Sequence, residues 1–275
     1  MQVAAQHHRN GLRGAKAAVI DAHVHVCVLD PDRYPWQPLL GYIPRAAAPV
    51  ESLLARMDAC GVDAAVCVQP SYYGYDNRYL QEALGRDRRR LRGVGLADPF
   101  APLLPEGLVG MRLNAVGHSG PGWLAQTAAA GFWDQVAARG WVLCAQCAPD
   151  QVAEFARLAA AHPGLPCVLD HLGRGAWGDV LAGASVPNLY LKVSGLAALS
   201  AEPYPHRDLW PAVQAAISAY GPQRCLFGTD ASATALPPYA AQVDLWREHL
   251  PLTAEQREAI LGGTAHRLFF QGRGG

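Results

Sequence analysis

The chain lacks several features that would have fixed its class at once. No uncharged apolar run in its 275 residues approaches the ~18 that a membrane-spanning helix requires, so no bilayer span is expected. Acids and bases balance to a formal net charge of zero, which removes the overall field that draws proteins to nucleic acid or anionic lipid. Regular cysteine spacing is missing too. The seven cysteines are an odd count, and Cys27, Cys67, Cys144, Cys167 and Cys225 fall in or beside apolar runs, the pattern of small buried hydrophobes in a reducing compartment. Cys144-x-x-Cys147 has the spacing of a redox or zinc pair, but no second pair completes it. Residues 1–16, with His7, His8, Arg9, Asn10 and Arg13, contain no continuous apolar core of the secretory kind. They read as a flexible tail before a single domain over 17–270, and no repeat or linker divides that domain. A cytoplasmic protein, monomeric or homodimeric, with a small-molecule partner is the expectation.

What is present is apolar material in a regular rhythm. Short β-rich runs occur at about 18–23, 64–69, 91–97, 108–113, 141–146, 166–170, 189–194 and 224–229. Helix-like segments separate most of them, at 50–60, 77–85, 125–139, 149–162, 177–182 and 205–220, whereas the connector 97–108 is too short for a regular helix. Gly61 and Gly140 stand where left-handed helix stops are expected. Two closing helices follow at 239–249 and 253–270, with Thr253 and Thr264 as candidate caps. Runs such as Ala64-Ala65-Val66-Cys67-Val68 are apolar on consecutive residues, the mark of strands covered on both faces and joined by helical crossovers. Eight such units in a chain of this length predict an α/β fold, a (β/α)8 TIM barrel.

Each run finishes in a polar or ionisable group: His23 and His25, Gln69, Asp98, Arg112 with Asn114, Gln146, His171, Lys192 with Ser194, and Asp230. A barrel whose site lies at the carboxyl ends of its strands requires such a series. In Asp21-Ala22-His23-Val24-His25 the two histidines are two apart, so in an extended chain both imidazoles share one face, as metal ligands or as hydrogen-bond donors to a carbonyl. The bland alternative is that strands leave a core through polar residues, with Arg112 in an internal salt bridge and His171 a satisfied core histidine. Arg86, Arg88, Arg89, Arg90 and Arg92 read as a solvated face beyond a helix end. The aromatic loop Tyr34-Pro35-Trp36-Gln37-Pro38 with Tyr42 either lines a pocket or packs on the surface.

Taken as an ordered set, Asp21-Ala22-His23-Val24-His25, Val68-Gln69-Pro70-Ser71, Gly110-Met111-Arg112-Leu113-Asn114, Asp170-His171-Leu172-Gly173-Arg174, Lys192-Val193-Ser194-Gly195 and Phe227-Gly228-Thr229-Asp230 resemble the amidohydrolase-related branch of the amidohydrolase superfamily. Within it the chain is similar to 2-pyrone-4,6-dicarboxylate lactonases and sugar lactonases. That resemblance implies a distorted (β/α)8 barrel in which His23, His25 and His171 surround a lactone carbonyl, Asp230 activates water, and Ser71, Arg112 and Arg174 hold substrate carboxylates. Gln69, Asn114 and Gln146 join the substrate-binding set. An oxyanion forms when water adds to a lactone, and donors or a cation must meet it. Arginine suits carboxylates because its planar fork binds both oxygens.

A metal-free site is the expectation, because Arg112 and Gln146 stand at middle-strand positions where metal-dependent relatives place further ligands, and an arginine cannot ligate. A zinc ion on His23, His25, His171 and Asp230 is the alternative. Two departures from the family bear on the substrate. Ala231-Ser232-Ala233 replaces the Trp-Pro-His of many relatives, and His118 stands where dicarboxylate lactonases carry a second arginine, which predicts a monocarboxylate or neutral sugar lactone. The competing readings are a metal-dependent decarboxylase of the same superfamily and an inactive barrel that binds a small acid.

Overall fold

Hydrogen bonding between parallel strands runs unbroken through the order β1 to β8 in a computed structural model that describes residues 18–118, 122–232 and 237–272. The expected tail 1–16 and Ala233 lie outside the described residues. The strands are β1 Ile20–Val24, β2 Ala64–Val68, β3 Leu91–Leu96, β4 Gly110–Asn114, β5 Val142–Gln146, β6 Cys167–Leu169, β7 Leu189–Val193 and β8 Cys225–Phe227. The circle closes just beyond β8. Asp230 N donates to His23 O at 2.8 Å and His25 N donates to Ala231 O at 2.8 Å, so the segments that carry candidate site residues also shut the barrel.

The consecutive apolar runs are explained by two core layers. Ile20, Ala22, Ala64, Val66, Val68, Val142, Cys144, Val168 and Leu226 fill the barrel interior, closed at one end by Ala265, Leu268 and Phe269. The opposite strand faces pack against the surrounding helices. Both faces are dry, which alternating amphipathic strands cannot provide. The β1–β2 register shifts between Asp21 and Val24. This irregularity lets Ala22 join the interior cluster while His23, one residue on, still turns inward.

Helix Val50–Cys60 and its left-handed stop at Gly61 stand as expected. The single helix expected over 125–139 is two, Trp123–Ala129 and Phe132–Ala138, divided at Gly131 with φ 78°. Thr253 caps Ala254–Glu258 by accepting from Gln256 N. Thr264 does not cap a helix start; it is buried and donates to Pro222 O at 3.3 Å. Arg90 and Arg92 depart from the solvated reading. Arg90 bonds Asp58 at 2.7 Å and the carbonyls of Asp63 and Val62, and Arg92 lies over the Phe270 ring. No described helix is long and apolar enough to cross a membrane.

Candidate active site

A cavity of about 690 Å³ opens at the carboxyl ends of the strands, where the βα loops meet. His25, His171, Asp230, Ser71, Arg112, Gln146 and Arg174 all line it. His23 lies directly beneath, closed off from solvent, with its ring centroid 4.9 Å from that of His25 and 4.6 Å from that of His171. Gln69 and Asn114 do not line this cavity. Gln69 Nε2 donates to Asp76 O at 2.7 Å and so staples its own loop, while Asn114 faces a separate crevice shared with His118. A polar residue at a strand end serves local backbone as readily as substrate, and only the loop's course decides which.

The backbone that presents the site is unusual. His171, Leu172, Gly173 and Arg174 run at φ 52°, 52°, 57° and 54°, four successive left-handed residues, and Asp230 stands at φ 57°. Each non-glycine residue there costs about 1–2 kcal/mol, so the surrounding structure must impose the conformation. The left-handed turn swings both His171 and Arg174 to the cavity.

Hydrogen-bond partners fix much of the protonation pattern. His25 Nδ1 lies 2.8 Å from Val68 O, so Nδ1 donates, and Nε2 points toward Asp230 Oδ1 at 3.2 Å and His23 Nε2 at 3.3 Å. In neutral His25 that Nε2 is a lone pair facing a carboxylate, a repulsive arrangement unless a proton or a cation lies between. His171 is arranged differently. Arg112 Nη2, which can only donate, is 3.4 Å from Nε2, and Ser194 Oγ is 2.8 Å from Nδ1, the pattern of a neutral ring donating to the serine. Burial, with the Arg112 and Lys192 charges adding to it, lowers the His171 pKa against the pull of Asp230 and Asp170. Burial lowers that of His23 further, with Lys192 acting in the same direction. For Asp230 burial opposes ionisation, but the three imidazoles outweigh it and hold the carboxyl well below its usual range.

A family model described as amidohydrolase matches residues 20–271. The chain belongs to the amidohydrolase family. It is 27% identical to a 4-sulfomuconolactone hydrolase of Rhizobium radiobacter over 76% of this chain and 74% of that one. Identity is also 27% to an L-fucono-1,5-lactonase of Burkholderia multivorans, over 91% and 95% of the two chains. Among solved structures, one described as a 2-pyrone-4,6-dicarboxylic acid hydrolase of Pseudomonas putida superposes with TM-score 0.78 at 27% identity, covering 92% of this chain and 97% of that one. An amidohydrolase of Burkholderia multivorans with bound zinc superposes with TM-score 0.72 at 26% identity, covering 92% and 99%.

In this amidohydrolase the residues that sequence reasoning left without a role are Asp170 and Lys192. Lys192 Nζ lies 2.9 Å from Asp170 Oδ1 and 3.1 Å from His23 Nδ1, and Arg112 Nε donates to Asp170 Oδ2 at 2.8 Å. Burial would raise the Asp170 pKa, but the Lys192 and Arg112 cations overcome it and hold the carboxyl far below its usual range. Arg112 is therefore both an internal salt-bridge residue and a cavity residue. The available signal was the strand-end position of Lys192; nothing in the sequence paired it with Asp170. Of the aromatic loop, Tyr42 lines the cavity, whereas Trp36 stacks on Tyr73 at 5.0 Å and the Tyr34 hydroxyl donates to Glu82 at 2.5 Å. Cys144 and Cys147 are free and buried, and neither lines the cavity.

His23, His25 and Asp230 each offer a ligand atom, all within 4.8 Å of one another. Asp170 Oδ1, paired with the Lys192 ammonium at 2.9 Å, also lies 3.6 Å from His23 Nδ1. Lys192 Nζ, which can only donate, is 3.1 Å from His23 Nδ1, so Nδ1 accepts here and the ring proton lies on Nε2; a metal on Nε2 requires that proton to move to Nδ1, facing Asp170. The two-nitrogen, one-oxygen donor set suits a zinc-like ion. The metal-free expectation draws no support from this arrangement.

Proposed function

We propose that this amidohydrolase opens a lactone of a small carboxylated molecule by adding water to the ring carbonyl. The observation that carries the reading is the convergence of Asp230, His25 and His171 on the floor of an arginine-bearing cavity, with His23 immediately beneath. The hydrolases of sulfomuconolactone, fuconolactone and pyrone dicarboxylate among its relatives support the same chemistry.

Asp230 turns Oδ1 to the histidines, so its other oxygen is the one to take a proton from water. Arg112 stands at the side where an oxyanion develops, and His171, neutral and donating to Ser194, faces that guanidinium with its lone pair and orients it. Arg174 and Ser71 hold the substrate's carboxylate, and Gln146 its ring oxygens, because the fork of an arginine and the hydroxyl of a serine match those acceptors. Lys192 and Asp170 are positioning residues that fix the His23 ring. A divalent ion, held by His23, His25 and Asp230, would supply Lewis-acid polarisation of the carbonyl. The seven free thiols support a reducing compartment such as the cytoplasm.

The test is a panel of pyrone, muconic and aldonic lactones followed by pH indicator, with carbon dioxide measured on the corresponding aromatic acids. Acid release on ring opening is expected. Carbon dioxide release without lactone turnover would replace this reading with the decarboxylase.

A further inference from the structure

Arg45 and Arg174 reach the cavity with no anionic partner of their own among the described residues. Arg45 belongs to the loop after β1, pinned at both ends by Leu39 N donating to Ser71 O at 3.0 Å and by the paired backbones of Cys27 and Ala48. The loop therefore holds Arg45 on the rim. Arg174 follows β6 and Arg112 ends β4, so the three arginines arise three, two and three strands apart around the eight.

The unmatched guanidinium groups bear on the ligand. Arg112 is already paired with Asp170, whereas Arg45 and Arg174 offer two separate places for anionic groups, which one dianion fills. Position 118 has no part in this. His118 is stacked on Trp123 at a centroid distance of 4.0 Å and an interplanar angle of 6°, outside the cavity lining.

We infer that Arg45 is a specificity-determining residue that takes a second anionic group, making the preferred substrate a dianionic lactone. This rests on the lactonase reading above and revises the monocarboxylate or neutral sugar lactone expected from His118. The positive charge missing at 118 enters from the loop after β1, three strands away, so that a lactone whose carbonyl faces Asp230 and Arg112 has anionic groups to offer both Arg45 and Arg174.

The experiment compares wild type, Arg45→Gln and Arg45→Lys on a dianionic lactone, 2-pyrone-4,6-dicarboxylate, and a neutral one, glucono-1,5-lactone. In parallel, calorimetry measures binding of the unreactive pair isophthalate and benzoate. Arg45→Gln is expected to lower the dianion-to-neutral ratio of kcat/KM by about tenfold, carried by KM, with Arg45→Lys intermediate. Isophthalate affinity is expected to fall by a similar factor and benzoate affinity by much less. Equal losses on both members of either pair, or a wild type without preference for the dianion, would overturn the inference. If no lactone is opened by any form, the lactonase reading fails, while the isophthalate comparison still decides the role of Arg45.

Discussion

Lys192 Nζ and Asp170 Oδ1 stand 2.9 Å apart in the middle of the barrel, both side chains closed off from water. A buried ion pair of this kind is held by mutual compensation: Lys192 without Asp170 would be stranded in a medium of low dielectric, and Asp170 without Lys192 would keep only Arg112. Because the same ammonium reaches His23 Nδ1 at 3.1 Å, the pair also sets the floor beneath the cavity.

Lys192→Met should therefore cost about 3–5 kcal/mol of stability, and Asp170→Asn should be similarly harmful. The double variant should be less destabilised than the two losses added together, since only Arg112 is then left without its carboxylate. Urea unfolding of all four proteins measures this, and simple additivity would show that the two groups do not compensate each other.

Asp230→Asn should lower kcat by about a thousandfold while leaving substrate affinity within a few fold. Single-turnover kinetics beside equilibrium binding separates the two quantities. Unchanged turnover would remove Asp230 as the proton acceptor.

Elemental analysis of purified active protein should find close to one divalent ion per chain, and His25→Ala should reduce that occupancy. Exhaustive chelation should lower both activity and Tm, with recovery on adding zinc. Activity and Tm indifferent to chelation, in protein with negligible metal, would establish proton sharing between His25 and Asp230 instead.

Gly173 is the one residue of the left-handed turn that escapes its steric cost. A Cβ there would meet Val180 Cγ2 at 2.8 Å and Val152 Cγ2 at 3.0 Å, besides requiring φ +57° of an L side chain. Gly173→Ala should destabilise by about 1–3 kcal/mol and, by shifting His171 and Arg174, reduce kcat/KM more than the surrounding helices' stability would suggest. Thermal unfolding and steady-state kinetics on one sample check both parts.

Asp21 is fully buried under β8, accepting from Thr229 Oγ1 at 2.6 Å and from the backbone of Thr229 and His23, and burial pushes its pKa up to about 6. A carboxyl whose folded pKa exceeds its unfolded value of 3.8 contributes stability that is complete below pH about 4 and lost as pH rises through about 6. Asp21→Asn should thus gain on the wild type by roughly 3 kcal/mol between pH 4 and 7. A difference in unfolding free energy that stays constant over that window would mean Asp21 is ionised in the fold throughout.

The strand count and the polar groups at the strand ends were legible because a strand buried on both faces must be apolar on consecutive residues and must leave the core where polar chemistry begins. For that reason the chain itself points to His23, His25, His171 and Asp230, and the structure gathers them. Asn114 and Gln69 show the limit of the same signal. Each ends a strand, yet one turns to a side crevice and the other to its own loop, according to backbone turns that residue type does not encode. The break at Gly131 was equally hidden, since one glycine in a helical pattern is tolerated or disruptive depending on the helix it must pack against.

The sequence by itself determined the barrel, its phase and the chemical vocabulary of its rim, because hydrophobic periodicity and element length are local properties. Only the tertiary structure decided that Lys192 and Asp170 form one buried unit, that His118 is spent on Trp123, and that Arg45 stands at the mouth instead. Those are pairings across many tens of residues, set by barrel register and loop course, and electrostatic interaction depends on distance in space with no regard to distance along the chain.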